Sequence, residues 1–121
     1  MRMFVALALG LAFAITSGSA LANGEKTFKK RCGSCHTTEA GKHKTGPALA
    51  GIVGKKAGTS DFKRYSGLKD VDVTWDEATL DAWITDSRAF AKEKLGGKTS
   101  MSVKIKKDEE RKEIIEYLKK N

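Results

Sequence analysis

The spacing of apolar positions changes several times along the chain, and each change marks a segment. Near the N terminus they are nearly contiguous, Phe4 to Ile15 forming a short apolar run behind Arg2. From about Gly24 they recur once per turn: Phe28 lies one turn beyond Gly24 and Cys32 one turn beyond Phe28, so the three share one face of a predicted helix. Between Lys42 and Gly67 the period disappears. Gly46, Pro47, Gly51, Gly54, Gly58 and Gly67 punctuate this stretch too often for a long helix or strand, and it reads as turns wrapped around something. A helical stripe returns at Leu80, Trp83 and Ile84, and Thr74 followed three residues later by Glu77 is a capping-box start for that helix. Gly96-Gly97 closes the region after it, leaving Lys98 to Lys107 as an exposed or partly extended strap. A last helix is expected from about Asp108, with Asp108, Glu109 and Glu110 at the end that suits negative charge and Lys119 and Lys120 at the other. Its buried side is marked by Ile114, Ile115 and Leu118, flanked by Tyr117.

The pattern predicts an all-α domain of three main helices and glycine-rich connections over residues 23–121. Residues 1–22 read as a secretory signal: a positive start, an apolar run shorter than the roughly 20 residues a spanning helix needs, and Ala20-Leu21-Ala22 as a small-residue cleavage site. A periplasmic protein with no stable membrane insertion is expected. A domain of this size buries a modest core, so any group that adds apolar volume to its interior matters.

Charge narrows the partners. The chain carries a formal net charge of +8 at pH 7, and losing Arg2 with the leader leaves the remainder basic. Such a surface suits nucleic acid, anionic lipid or an acidic protein. An exported chain without a nucleic-acid motif points to the acidic protein.

The residues that carry chemistry are Cys32-Gly33-Ser34-Cys35-His36. CxxCH is the attachment signature for c-type haem. On a helical turn, positions i, i+3 and i+4 project from one side, so both thiols and the imidazole can face one flat macrocycle, with His36 as the proximal iron ligand. The competing readings are a thioredoxin-like dithiol, a structural disulfide and a zinc site. A dithiol oxidoreductase needs a strand before the motif, where a helical segment is expected here, and a zinc site needs further ligands where the chain offers one other histidine, His43.

For a sixth ligand, Met101 is the methionine left once Met1 and Met3 depart with the leader. A lone methionine is ordinarily core filler. Met101 instead sits in the polar run Lys98-Thr99-Ser100-Met101-Ser102, outside any apolar stripe. His43 is the other candidate, but it follows His36 closely in sequence among lysines and reads as a solvated surface residue.

In these ordered motifs the chain resembles the soluble class I cytochromes c, in particular the small proteobacterial and mitochondrial-like branch, over essentially all of residues 23–121. Gly24 and Phe28 match that family's packing positions on the first helix, with Ile114 and Tyr117 as partners on the last. Thr45-Gly46-Pro47-Ala48-Leu49 is similar to the proximal loop, in which the proline carbonyl accepts the Nδ1 hydrogen of the ligand histidine. The resemblance implies that Tyr65 and Trp75 hydrogen-bond a buried haem propionate, and that Met101 ligates iron. It implies a mono-haem, monomeric carrier that is not an enzyme. Single electrons would pass by outer-sphere transfer through an exposed haem edge between acidic partners: a quinol-cytochrome c reductase, terminal oxidase, dehydrogenase or photosynthetic reaction centre. Lys92, Lys94, Lys98, Lys104 and Lys106, extended by Lys29 and Lys30, would form the docking ring. The chain departs from the mitochondrial pattern at Lys55 for an arginine, Lys69 for an asparagine, Trp83 for a tyrosine, Ser87 for a proline and Val103 for an aromatic residue.

Overall fold

The computed structural model describes the backbone of residues 18–121 and the side chains of 23–121. The predicted leader, residues 1–22, lies outside the described residues apart from the backbone of 18–22, which begins the first helix. Four helices follow in chain order: α1 (Gly18–Arg31), α2 (Glu77–Thr85), α3 (Ser87–Lys94) and α4 (Asp108–Lys119). Among the described residues there is no strand, only an isolated antiparallel bridge between Lys56 and Thr74. No helix among them is long and apolar enough to cross a membrane.

The α1–α4 pair is the frame. Gly24 lets the two backbones approach so closely that a Cβ there would stand 2.7 Å from the Glu113 carbonyl oxygen and 3.0 Å from Tyr117 Cβ. One turn on, Phe28 packs on Tyr117 with ring centroids 5.3 Å apart. Thr27 Oγ1 donates to Glu113 Oε2 at 2.7 Å, and Arg31 closes the end of the seam by donating to Glu110 Oε2 at 2.8 Å and 3.1 Å. The expected meeting of Gly24 and Phe28 with Ile114 and Tyr117 is therefore built as a glycine contact, an aromatic pair and a polar edge.

The region that follows the second expected helix carries a helix of its own, α3, which the sequence pattern did not predict. Asp86, with extended φ −162° and ψ 97°, both ends α2 and caps α3, its side chain accepting from Ala89 N–H at 3.0 Å. The start of α2 also differs from the capping box read at Thr74 and Glu77. Its N-cap is Asp76, whose carboxylate accepts from Thr79 N–H at 2.8 Å, because Thr74 is taken up in the bridge to Lys56. The last helix begins at Asp108 as expected, with acidic residues in its first turn and Ile114, Ile115 and Leu118 buried. These side chains join Phe28, Trp75, Leu80, Trp83, Ile84 and Ile105 in one core.

The strap after Gly97 is pinned more firmly than its polar sequence implied. Ser87 N–H donates to Val103 O at 2.9 Å and Ile105 N–H to Ile84 O at 3.0 Å, so Ile105 is buried. Arg111, from α4, donates to the carbonyls of Ile105 at 2.8 Å and Lys106 at 3.0 Å, and to Asp81 Oδ1 on α2 at 2.8 Å.

Candidate haem-binding site

Past Arg31 the chain keeps turning. Cys32 N–H donates to Phe28 O at 2.7 Å, and the N–H groups of Cys35 and His36 both reach Cys32 O, at 3.1 and 2.9 Å. These turns carry Cys32, Cys35 and His36 toward a common interior slot. The slot has two chambers, of about 290 Å³ and about 100 Å³, and the same residues border both: Cys32, His36, Pro47, Tyr65, Leu68, Ile84 and Met101. Cys35 lines the larger chamber, with Arg31 and Arg64 also on its wall. Trp75 and Trp83 line the smaller, with Lys55 and Lys56.

His36 is buried, and its Nδ1 lies 2.7 Å from Pro47 O. A carbonyl oxygen only accepts, so Nδ1 carries the hydrogen and Nε2 keeps its lone pair. Among the described residues Nε2 meets no hydrogen-bond partner. Burial pushes the pKa of His36 down, against the Pro47 contact and with the nearby Lys44 charge, which favours the neutral imidazole a metal needs. Gly46 makes room for the ring: a Cβ there would lie 2.8 Å from Nδ1 and 2.9 Å from Nε2.

Cys32 and Cys35 are free. Burial foremost, and the neighbouring Cys35 next, push the Cys32 thiol up to about 11 over the opposing pull of Arg31. A nucleophilic dithiol needs the reverse, a depressed thiol in an electropositive setting. The zinc reading lacks support as well, since no cluster of three or more His, Cys, Asp or Glu suited to a metal occurs among the described residues. The donor set fits haem: two thiols, a neutral imidazole with one nitrogen free and a thioether, around a slot walled by aliphatic and aromatic side chains.

His43 is not a solvated surface residue. Its Nδ1 accepts from Ala48 N–H at 2.9 Å and its Nε2 donates to Asp61 Oδ1 at 2.6 Å, so both nitrogens are used in stapling the Pro47 loop to the following turns. Tyr65 borders both chambers with its hydroxyl 2.5 Å from Ser60 Oγ, and Trp75 is buried against Trp83 with centroids 5.4 Å apart. Sequence reasoning missed the wall residues Phe62, Leu68, Arg31 and Arg64. Arg31 and Arg64 stand beside other basic residues and read as solvated charge, and Phe62 lies in the stretch that has no period to read, with Leu68 just past its end. None of Lys92, Lys94, Lys98, Lys104 and Lys106 lines the slot.

The fold and site together define a small helical protein with an apolar slot between a histidine-bearing turn and a methionine-bearing strap, of a chemistry that fits haem. A sequence profile described as cytochrome c matches residues 21–121, and the chain belongs to the cytochrome c family. It is 37% identical to cytochrome c2 of Rhodospirillum rubrum over 128 aligned positions, covering 96% of this chain and 95% of that protein. It is 38% identical to cytochrome c of Chlamydomonas reinhardtii, covering 88% and 94%. Among solved structures it is similar to cytochrome cH from Methylobacterium extorquens, with a TM-score of 0.70, 38% identity, and coverage of 84% of this chain and 98% of that one. The chain is thus a mono-haem electron carrier, not an enzyme, with haem c as its cofactor.

Proposed function

We propose that Cys32 and Cys35 would hold haem by two thioether links, that His36 Nε2 and the Met101 sulfur would ligate its iron, and that the protein is a periplasmic shuttle in a respiratory or photosynthetic chain. The observation that carries this reading is the shared border: Cys32, His36 and Met101 all face both chambers of one slot. Bound haem supplies a one-electron iron couple, and every other part of the task falls to the chain. Pro47 fixes the His36 tautomer and aim through the 2.7 Å contact at Nδ1. Met101, with its backbone N–H held by Thr99 Oγ1 at 3.0 Å, would supply a soft thioether that favours the ferrous state and would keep oxygen and peroxide from the iron. The buried aromatic wall of Trp75, Trp83 and Phe62 lowers the local dielectric and pushes the same way. Tyr65 and Trp75 are the proposed propionate donors, with Lys55 and Lys56 beside them on the wall of the smaller chamber.

Residues 1–22 act in this reading as a leader cleaved after Ala22. Partners are acidic redox proteins that meet a basic rim, in which Arg31 and Arg64 at the wall of the larger chamber join the exposed lysines of α3 and the strap. Such encounters are fast and salt-screened.

The test is the optical spectrum of protein matured where haem can be attached. The ferric wild type is expected to show the far-red thioether-to-iron charge-transfer band, and Met101→Ala to lack it while keeping covalent haem. Haem without the band in the wild type would mean another ligand or an open site. No covalent haem would defeat the assignment of Cys32 and Cys35.

A further inference from the structure

Ser87 has no role in the scheme so far, yet it is fully buried and uses both of its donors. Its Oγ donates to Trp83 O at 2.9 Å, within its own bend of chain. Its backbone N–H donates to Val103 O at 2.9 Å, across to the strap. Only Ser102 separates Val103 from Met101, so the carbonyl held by Ser87 lies within two short links of the thioether-bearing residue. Beyond Met101, the other contacts that tie the strap to the helices are farther along or weaker. Ile105 N–H bonds Ile84 O two residues beyond Val103, Arg111 grips Ile105 and Lys106, and the Lys104–Asp86 pair at 3.4 Å is largely exposed.

The position makes this donor unusual. Ser87 is the first residue of α3, where a backbone N–H has no partner inside its own helix. Proline fits such a place well, and the extended Asp86 before it suits a following proline. A residue with an N–H at this point therefore adds a tether that the helix itself does not require. Ser87 itself is wholly buried, so its end of the bond is shut off from water.

We propose that Ser87 is a positioning residue for Met101: its N–H, free of any helical duty, fixes the strap at Val103 and so holds the thioether at the iron. This rests on Met101 being an axial ligand. Ser102 and Val103 transmit the constraint, and Ser87 Oγ serves only the bend at Trp83.

The experiment uses ferric holoprotein and follows the far-red thioether band during heating, in wild type, Ser87→Ala and Ser87→Pro. Alanine keeps the N–H and loses the hydroxyl; proline loses both. Relative to alanine, proline is expected to raise the equilibrium constant for losing the band about tenfold, a single buried hydrogen bond's worth. Equal band loss in the two variants would overturn the proposal, and a wild type with haem but no band would instead defeat the Met101 assignment. A second measurement needs no proline: coupling between two sites is reciprocal, so removing the thioether must loosen the tether by the same factor. Exchange of the Ser87 amide hydrogen is expected to quicken about tenfold in Met101→Ala, with the Phe90 amide in the same helix unchanged. An unchanged Ser87 amide would also overturn the inference.

Discussion

The two sides of the slot are fastened by different means. On the His36 side the grip is direct: the chain turns on from α1, the imidazole is held by Pro47 O at 2.7 Å, and the loop that supplies this carbonyl is stapled by His43 to Asp61. On the Met101 side no contact grips the side chain: the backbone N–H of Met101 donates to Thr99 Oγ1 within the strap, and the strap beyond it is held by Ser87, Ile84 and Arg111, from the three helices α3, α2 and α4. The first arrangement fixes a side chain; the second fixes a backbone and leaves the side chain to follow. A ligand of the first kind can be disturbed only by distorting its own turn, whereas one of the second kind can be loosened from a distance while the fold persists.

The most disruptive way to break this contrast is Gly46→Ala. The new methyl would collide with the His36 ring at both nitrogens, 2.8 and 2.9 Å away, in a loop whose Gly46 N–H is tied to Cys35 O at 2.8 Å. Overpacking of this kind costs about 1–3 kcal/mol. Denaturant titration of the holoprotein should show that loss, and the ratio of haem to chain should fall with it, since the ring and the thiols share one turn. Full haem content with unchanged stability would show that the proximal turn is softer than its geometry implies.

Arg111→Leu probes the opposite side with a smaller expected effect. The guanidinium is nearly buried and meets Asp81, Asp108 and the carbonyls of Ile105 and Lys106, so leucine fills its space while leaving the two strap carbonyls without their donor. A loss of about 1–2 kcal/mol is expected in the same titration. Haem content should not change, because no thioether chemistry lies on this side. A fall in haem content comparable to that of Gly46→Ala would mean that the two sides are not independent.

This asymmetry also explains what could be read from the sequence. What was legible of the proximal side is its local part: CxxCH spacing, the Gly-Pro loop and the Gly24–Phe28 face are all set by chain neighbours. The start of α4 at Asp108 and its buried stripe were legible for the same reason. The distal side hid its structure in long-range contacts. Arg111 sits in a run of charges that reads as solvated, and nothing in its neighbourhood shows that Asp81, thirty residues earlier, will face it. The short helix α3 was missed because it spans only Ser87–Lys94 and buries little beyond Ser87 and Ala91, and the start of α2 was displaced to Asp76 because Thr74 had a partner at Lys56. His43 looked solvated because Asp61 is brought to it only by the intervening turns.

The finest test of the comparison is its dependence on acid, read at Asp86, the joint between α2 and α3 that adjoins the strap. The Ala89 N–H holds the Asp86 carboxyl below the ordinary aspartate pKa, with Lys104 helping and partial desolvation opposing. A carboxylate depressed in the folded state binds fewer protons there than in the unfolded chain. Its stabilising contribution is therefore present above the unfolded pKa of about 3.9 and lost as pH falls through the lower folded value. Asp86→Asn keeps an N-cap acceptor but does not titrate. Wild type should exceed the variant in stability near neutrality, and the difference should shrink as acid is added, by a small amount because the carboxyl is well solvated. Following both the far-red band and the helical signal at each pH makes the outcome decisive for the distal side. If the strap is held through its neighbours, the band should weaken in acid before the helices do, and this early loss should be blunted in Asp86→Asn. Coincident loss of band and helix in both proteins would mean that the strap is part of the rigid frame, and that the two sides of the slot differ in the source of their contacts but not in how tightly they hold.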